Sequence, residues 1–294
     1  MYYIFLLVTL VITLSSQAYI KSVYKKTRKI IANSGISGSE TARRILDANG
    51  LKDIKVVEEF LLGTETSILA FVDNDTIVPM VSAKDHKKVY NFEKGPNTGG
   101  MGTFSPSEIY TDELSKEISE NILNRTLQGF KKDNLNYKGV LFIGLMITED
   151  GPKVLEYNVR FGDPETQSVL FRLETDLHKI IEAILDDKLK DIEINYKKEE
   201  VVCVMLTSGG YPEDYEKGKV ITGLENLDED IVVFHSGTKL LDGNLVTNGG
   251  RVIGITTSAD SVEEAAKKVY KNIEKINFEG MHYRTDIGRG EKIC

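Results

Sequence analysis

The alternation of hydrophobic and polar residues predicts strands in two parts of this 294-residue chain. Apolar residues recur at every second position over residues 67–81, with a polar turn at 73–75, and a period of two is typical of strands with one buried face. Two further strands are predicted at 137–148 and 153–159, on either side of the Glu149-Asp150-Gly151 turn. This part of the chain is therefore expected to form hairpins.

Helices are predicted where apolar residues recur at intervals of three and four positions. This spacing is found at 112–131, 166–185 and 261–276. Between residues 201 and 290, short strand-like runs alternate with turns around the last of these helices. Strands interspersed with helices indicate an α/β fold.

The N-terminal segment differs from the rest of the chain. Residues 2–14 are almost all apolar, and the run extends to residue 20, close to the ~20 residues that a membrane span requires. No basic residue precedes this run, whereas a group of lysines and arginines follows it between residues 21 and 29. This asymmetry predicts an apolar membrane-type helix at residues 2–20, with the remainder of the chain in the cytoplasm. A buried helix and a cleaved signal peptide are the alternatives.

Charge and cysteine content narrow the class of protein. The net charge of −8 argues against nucleic acid as a partner. Cys203 and Cys294 are the only cysteines, so a disulfide framework is not expected and a reducing cytoplasm fits. The four histidines are scattered, without the His-x-x-x-His spacing of a zinc peptidase.

The run from Val154 to Gln167 carries the first candidate chemistry. Glu156 and Asn158 lie two positions apart on a predicted strand, so both side chains should point to the same face. A carboxylate and an amide oxygen are hard ligands that suit Mg²⁺ or Mn²⁺. Arg160 continues the same face with a permanent cation suited to phosphate. The alternative is a polar strand end followed by an ordinary turn.

A glycine-rich segment carries the second group of candidate functional residues. Lysines surround Asp85 and His86, and the loop Gly95-Pro96-Asn97-Thr98-Gly99-Gly100-Met101-Gly102 follows. Glycines allow backbone N–H groups to approach an anion closely, and the lysines add positive charge. A plain flexible turn is the alternative for this loop.

Together these two motifs resemble the phosphoribosylamine–glycine ligase family, whose members have the ATP-grasp fold. The run Glu-Tyr-Asn-Val-Arg-Phe-Gly-Asp-Pro-Glu-Thr-Gln at 156–167 carries most of the resemblance, which extends over residues 56–290. It implies the C-terminal part of an ATP-grasp domain at 56–195 and a small, β-rich closing domain at 196–294.

The resemblance also implies a reaction. The carboxylate of glycine attacks the γ-phosphate of ATP to give an acyl phosphate and ADP, and the amine of phosphoribosylamine then displaces phosphate to form an amide. Mg²⁺ or Mn²⁺ would be held by Glu156 and Asn158, and Arg160 would stabilise the transferring phosphoryl group. Asp163 and Glu165 would orient the ammonium of glycine or the metal shell.

Binding roles follow from the same resemblance. Glu58, Glu59 and Leu61 would form the hinge beside the adenine of ATP, with the amide of Leu61 as a donor, and Glu65 would accept hydrogen bonds from the ribose.

The substrates, phosphoribosylamine and glycine, would be contacted by residues from the glycine-rich segment and the closing domain. These are Asp85, His86, Asn97, Thr98 and Arg251.

Residues 1–56 resemble instead the N-terminus of a bacterial family of membrane-bound neutral zinc metallopeptidases, without its His-Glu-x-x-His motif. This divides the region into an apolar helix with a basic flank at 1–32 and a helical segment foreign to the ligase at 33–55. The glycine-rich fold and the phosphate-binding lysines with which such a ligase begins have no counterpart there, so we expect a weak or inactive ligase. A membrane-tethered, non-catalytic nucleotide-binding remnant and a peptidase remnant are the alternatives.

Overall fold

The computed structural model describes Asp47, Gly50 and residues 61–289. The chain divides into two compact units, Met1–Phe60 and Leu61–Cys294. In the first unit, Asp47 lies in a helix and Gly50 in a turn, where the amide of Gly50 donates to the carbonyl of Asp47. The architecture below is that of the second unit.

Thirteen strands and five α-helices form the described part of the second unit. The strands are β1 Thr64–Val72, β2 Ile77–Pro79, β3 Lys84–Asp85, β4 Lys88–Tyr90, β5 Lys94–Asn97, β6 Gly102–Ser105, β7 Gly139–Thr148, β8 Gly151–Asn158, β9 Glu200–Thr207, β10 Val232–His235, β11 Thr238–Leu241, β12 Asn244–Thr247 and β13 Arg251–Ala259. The helices are α1 Asp112–Ile118, α2 Asn124–Lys132, α3 Glu165–Val169, α4 Leu177–Leu185 and α5 Val262–Ile273.

Sheet A consists of four antiparallel strands in the order β2–β1–β7–β8. Alternation predicted one buried face for β1, but the central strands β1 and β7 are buried on both faces, because their apolar residues are nearly continuous. Ile68 and Ile143 pack on the side of α1 and α2, whereas Leu69 and Phe142 pack on the side of α4. The predicted hairpins at 67–81 and 137–159 are therefore confirmed.

Sheet B has the strand order β10–β13–β9–β6–β3. Its strands β3 and β6 come from before residue 195 and the other three from residue 200 onward, so one sheet combines both predicted ligase segments. Val202, Val204 and Ile255 pack against Ala265 and Val269 of α5 in its hydrophobic core. This sheet places the glycine-rich segment beside the C-terminal strands.

The helix predictions are confirmed at two of three places. The segment 112–132 is helical through a π turn at Ser119–Leu123, and α5 lies within the predicted range 261–276. The prediction of one helix over 166–185 is wrong, because the chain becomes extended at Leu173. Asp176 then starts α4 as a new helix by accepting a hydrogen bond from the amide of His178.

The predicted membrane helix cannot be compared with the structure, since residues 2–20 lie outside the described residues. In the part of the chain that is described, no helix has the length and apolarity needed to cross a bilayer.

Candidate functional site

Glu156 and Asn158 lie on one face of the edge strand β8, as predicted. The Nδ2 of Asn158 donates to Oε1 of Glu156 over 3.1 Å. Glu156 pairs across the strands with Gly144 of β7, which pairs in turn with Ser67 of β1. A Cβ on Gly144 would lie 3.1 Å from Cγ of Glu156, so the glycine leaves room for the carboxylate on this face, which we call the site face of sheet A.

Lys87 supplies the positive charge opposite the site face. Its Nζ lies 3.1 Å from Oε2 of Glu65 at the start of β1. Burial alone would lower the pKa of Lys87, but the hydrogen bond and charge of Glu65, with further carboxylates at Asp85 and Glu156, raise this pKa overall. Lys87 therefore remains a cation surrounded by acidic groups.

Two further carboxyl groups, of the buried Glu165 and the half-buried Asp85, complete the cluster. Glu165 is 3% exposed and accepts a hydrogen bond of 3.2 Å from the hydroxyl of Ser67. Oδ1 of Asp85 is buried without a hydrogen-bond partner among the described residues. Burial raises the pKa of both groups, and for Asp85 the negative charge of Glu165 raises it further. The pair therefore favours a proton or a bound cation.

These raised pKa values predict a pH dependence of folding. A carboxyl group whose pKa is higher in the folded than in the unfolded protein keeps its proton to a higher pH when folded. The free energy of unfolding therefore falls as the pH rises above the ordinary carboxyl pKa of about 4. In urea unfolding from pH 4 to pH 7, we expect Asp85→Asn to lose less stability with rising pH than the parent chain. The exposed Asp186→Asn serves as the control and should follow the parent. Parallel curves for Asp85→Asn and the parent would contradict the effect.

The glycine-rich loop lies against this cluster. The hydroxyl of Thr98 donates to the carbonyl of Lys87 and accepts from the amide of Gly100. Gly100 has φ +110°, and a Cβ there would lie 2.6 Å from Oδ1 of Asp85. Only glycine fits this approach. The amide of Gly99 donates to the hydroxyl of Tyr211 over 2.9 Å.

Arg251 joins the glycine-rich loop to the loop that follows β8. Its guanidinium donates to the carbonyls of Gly99, at 2.6 Å, and Asp163, at 2.8 Å, and pairs with the Asp163 carboxylate at 3.0 Å. Asp163 also accepts from the amide of Gln167. Arg251 and Asp163 thus form a clamp between the two loops, and the Asp163 carboxylate is already engaged.

Other predicted site residues lie apart from the cluster. Arg160 is exposed beyond the end of β8, where it donates to the carbonyl of Phe161. Asn97 is exposed at the end of β5. His86 lines a cavity with Lys84 and Phe104, away from the Asp85 carboxylate. Leu61 is half-buried before β1, and Glu58 and Glu59 are outside the described residues.

The donor set on β8 suits a hard divalent cation. Glu156 is exposed and Asn158 half-buried, and their polar atoms are within hydrogen-bond distance of each other. Rotating the amide of Asn158 would turn its oxygen toward the carboxylate. Within the described residues, no group of three or more His, Cys, Asp or Glu side chains could hold a metal ion. Two protein ligands completed by phosphate oxygens and water are typical of Mg²⁺.

Sequence reasoning missed Ser67, Lys87 and Tyr211 as members of the site. Lys87 stands in the noted Lys84-Asp85-His86-Lys87-Lys88 run, and its alternation with Asp85 could have revealed it. Ser67 and Tyr211 carry no local signal, because the chain brings them in from 98 residues away from Glu165 and 112 residues away from Gly99.

Two family models match the chain. The model of the phosphoribosylglycinamide synthetase ATP-grasp (A) domain matches residues 21–166, and that of the C domain of the same enzyme matches residues 201–290. The first match begins before residue 56 and includes the segment 33–55 that was predicted to be foreign. The resemblance of residues 1–56 to a metallopeptidase is not supported by these matches.

Individual proteins agree with the family models. The phosphoribosylamine–glycine ligase of Caldanaerobacter subterraneus subsp. tengcongensis is 49% identical over 248 residues, 84% of this chain and 59% of that enzyme. The trifunctional purine biosynthetic protein adenosine-3 of Gallus gallus is 47% identical over 79% of this chain and 23% of its own length.

A solved structure shows the same fold. The crystal structure of phosphoribosylamine–glycine ligase from Thermotoga maritima superposes with a TM-score of 0.70 at 37% identity, over 84% of this chain and 62% of that one. The chain thus spans less than two thirds of the single-enzyme relatives that it matches.

Proposed function

Because this chain belongs to the phosphoribosylamine–glycine ligase family, we propose that it takes part in the ATP-dependent joining of phosphoribosylamine and glycine, in the cytoplasm, as a step of purine synthesis. The observation that carries the proposal is the site face, where Glu156 and Asn158 stand beside the Lys87–Glu65 ion pair and the carboxyls of Asp85 and Glu165. The products would be glycinamide ribonucleotide, ADP and phosphate.

ATP would lie along the site face with its phosphates near β8. Glu156 and Asn158 would hold the Mg²⁺ or Mn²⁺ that accompanies it. When bound, such an ion neutralises phosphate oxygens and acts as a Lewis acid. The exposed guanidinium of Arg160, which donates to the carbonyl of Phe161, would turn toward the transferring phosphoryl group. Glu65, at the start of β1, would accept hydrogen bonds from the ribose, and Leu61 would donate its amide to the adenine.

Glycine would be oriented by charge. Its ammonium group would lie between the carboxylates of Asp85 and Glu165. Burial favours protonation of these two groups, and a bound cation would stabilise their charged forms instead. Lys87 would face the glycine carboxylate and the phosphate that it attacks. Asp163 is not assigned to the ammonium group, because Arg251 and Gln167 already bind its carboxylate. Asp85 and Glu165 take this role instead.

Phosphoribosylamine would be bound by the glycine-rich loop. Thr98 and Gly100 set the shape of this loop beside Asp85, and Asn97 at its exposed start would reach a phosphate or ribose oxygen. Arg251 would contribute indirectly, because its hydrogen bonds hold the glycine-rich loop against the loop after β8. Positioning of this kind accounts for much of the acceleration in such reactions.

The test is ADP release by the purified full chain with ATP, Mg²⁺, glycine and freshly generated phosphoribosylamine. We expect ADP formation to require all four components, to stop in EDTA and to return with Mg²⁺ or Mn²⁺. ATP hydrolysis that ignores glycine would contradict the proposal. Saturable ATP binding without turnover would favour the alternative of a non-catalytic nucleotide-binding remnant.

A further inference from the structure

All four backbone amides of residues 98–101 in the glycine-rich loop donate hydrogen bonds within the protein. Three of them donate to groups nearby in the chain, which are the carbonyls of Lys87 and His86 and the hydroxyl of Thr98. The fourth, of Gly99, donates to the hydroxyl of Tyr211, 112 residues away. The expectation that amides of this loop approach an anion therefore does not hold for residues 98–101.

The backbone of Gly99 is held on both sides. Its amide donates to the hydroxyl of Tyr211 over 2.9 Å, and its carbonyl accepts from Nη1 of Arg251 over 2.6 Å. Gly99 is exposed, so water competes for both groups. The conformation of the loop at this residue therefore depends on two side chains from the segment after β9.

The Tyr211 side chain is fixed by close packing. A Cβ on Gly250 would lie 2.2 Å from Cδ2 of Tyr211, so the ring fills the space that this glycine leaves open. The ring of Tyr215 packs edge-to-face against it, with 6.2 Å between the centroids. The amide of Tyr211 also donates to the carbonyl of Ser208 over 3.1 Å. The hydroxyl that binds Gly99 is therefore carried by a ring with little freedom to move.

We propose that Tyr211 is a positioning residue for phosphoribosylamine, because its hydroxyl fixes the Gly99 backbone and with it the exposed side chain of Asn97, two residues earlier. The proposal rests on the ligase function stated above, in which this loop binds phosphoribosylamine. Since the amides of residues 98–101 are used within the protein, recognition by this part of the loop falls to side chains, which a fixed backbone must orient. ATP, placed along β8, should not depend on Tyr211.

The first measurement is the amide hydrogen exchange of Gly99, followed by NMR in the full chain with isotope-labelled glycine. Tyr211→Phe removes one oxygen and keeps the ring beside Gly250. We expect the Gly99 amide to exchange at least about fivefold faster than in the parent, as for the loss of one hydrogen bond. Tyr215→Phe is the matched control, since it removes the hydroxyl of the ring that packs against Tyr211. It should leave Gly99 at the parent rate.

The second measurement separates positioning of the substrate from a purely structural role. Glycinamide ribonucleotide, the product that carries the same ribosyl phosphate, is titrated into the full chain by calorimetry. In Tyr211→Phe its Kd and the KM for phosphoribosylamine should both rise about fivefold, while kcat and the KM for ATP change by less than about twofold. Gly250→Ala should have the same effect, because its Cβ would displace the unaltered Tyr211 ring.

Two results would overturn the proposal. One is exchange of the Gly99 amide at the parent rate in Tyr211→Phe. The other is faster exchange with unchanged affinity for glycinamide ribonucleotide, because order in the loop would then not affect the substrate. A parent chain that binds no glycinamide ribonucleotide would contradict the ligase function itself, and this inference with it, so the two kinds of failure are distinguishable.

Discussion

Glu156→Gln should lower glycine-dependent ADP formation by about a hundredfold or more, which corresponds to about 2.7 kcal/mol of transition-state stabilisation. The substitution keeps the size of the side chain but removes the anionic oxygen next to Asn158. An amide is a much poorer partner for Mg²⁺, and metal ligation supplies several kcal/mol in reactions of this type. The measurement is the initial rate of ADP release as a function of Mg²⁺ concentration.

Glu149→Gln is the matched control, since Glu149 is also exposed but lies in the turn before β8. It should retain the parent rate. Because Glu156 is exposed, its replacement should change the free energy of unfolding by less than about 0.5 kcal/mol. A Glu156→Gln protein with normal rates at limiting Mg²⁺ would show that β8 does not hold the ion.

Arg251→Ala should destabilise the protein by about 3 kcal/mol and reduce turnover by at least about tenfold. The Arg251 side chain is 18% exposed, and its guanidinium holds two carbonyls and the Asp163 carboxylate. Truncation releases the glycine-rich loop from the loop after β8 and leaves Asp163 with Gln167 as its remaining partner. Urea unfolding and steady-state rates measure the two effects separately.

Arg251→Lys tests whether the hydrogen-bond geometry of Arg251 or only its positive charge stabilises the two loops. Lysine restores the cation but not the planar fork of donors, so we expect it to recover little of the lost stability. Lys267→Ala, which removes an exposed ion pair with Glu263, is the control and should change stability by at most about 1 kcal/mol. Full rescue by Arg251→Lys would mean that the bridge between the loops is unimportant.

Much of the fold follows from local periodicity. β1, β7 and β8 were predicted because apolar runs end there at polar turns, and the helical segment because residues 112–131 repeat apolar positions at helical spacing. The break between α3 and α4 was not predicted, since the helical spacing of apolar residues continues through it. The interruption depends on Leu173 bridging to Tyr196, a contact with a distant part of the chain.

The separation of His86 from Asp85 could have been predicted. Adjacent residues on a strand face opposite sides, but β3 is only two residues long and carries no visible alternation of its own. The assignment of both residues to one substrate site therefore depended on the resemblance alone. The structure places Asp85 beside Glu165 and Lys87, and His86 in a separate cavity with Lys84 and Phe104.

The sequence by itself determined three features of this protein: the position of Glu156 and Asn158 on one strand face, the glycine-rich loop and the family. These are local features, fixed by residue order and a period of two. Tertiary structure alone decided that Lys87 pairs with Glu65, that Tyr211 holds Gly99 and that Arg251 clamps Asp163. Each of these contacts joins segments that are distant in the chain, and sheet pairing brings them together.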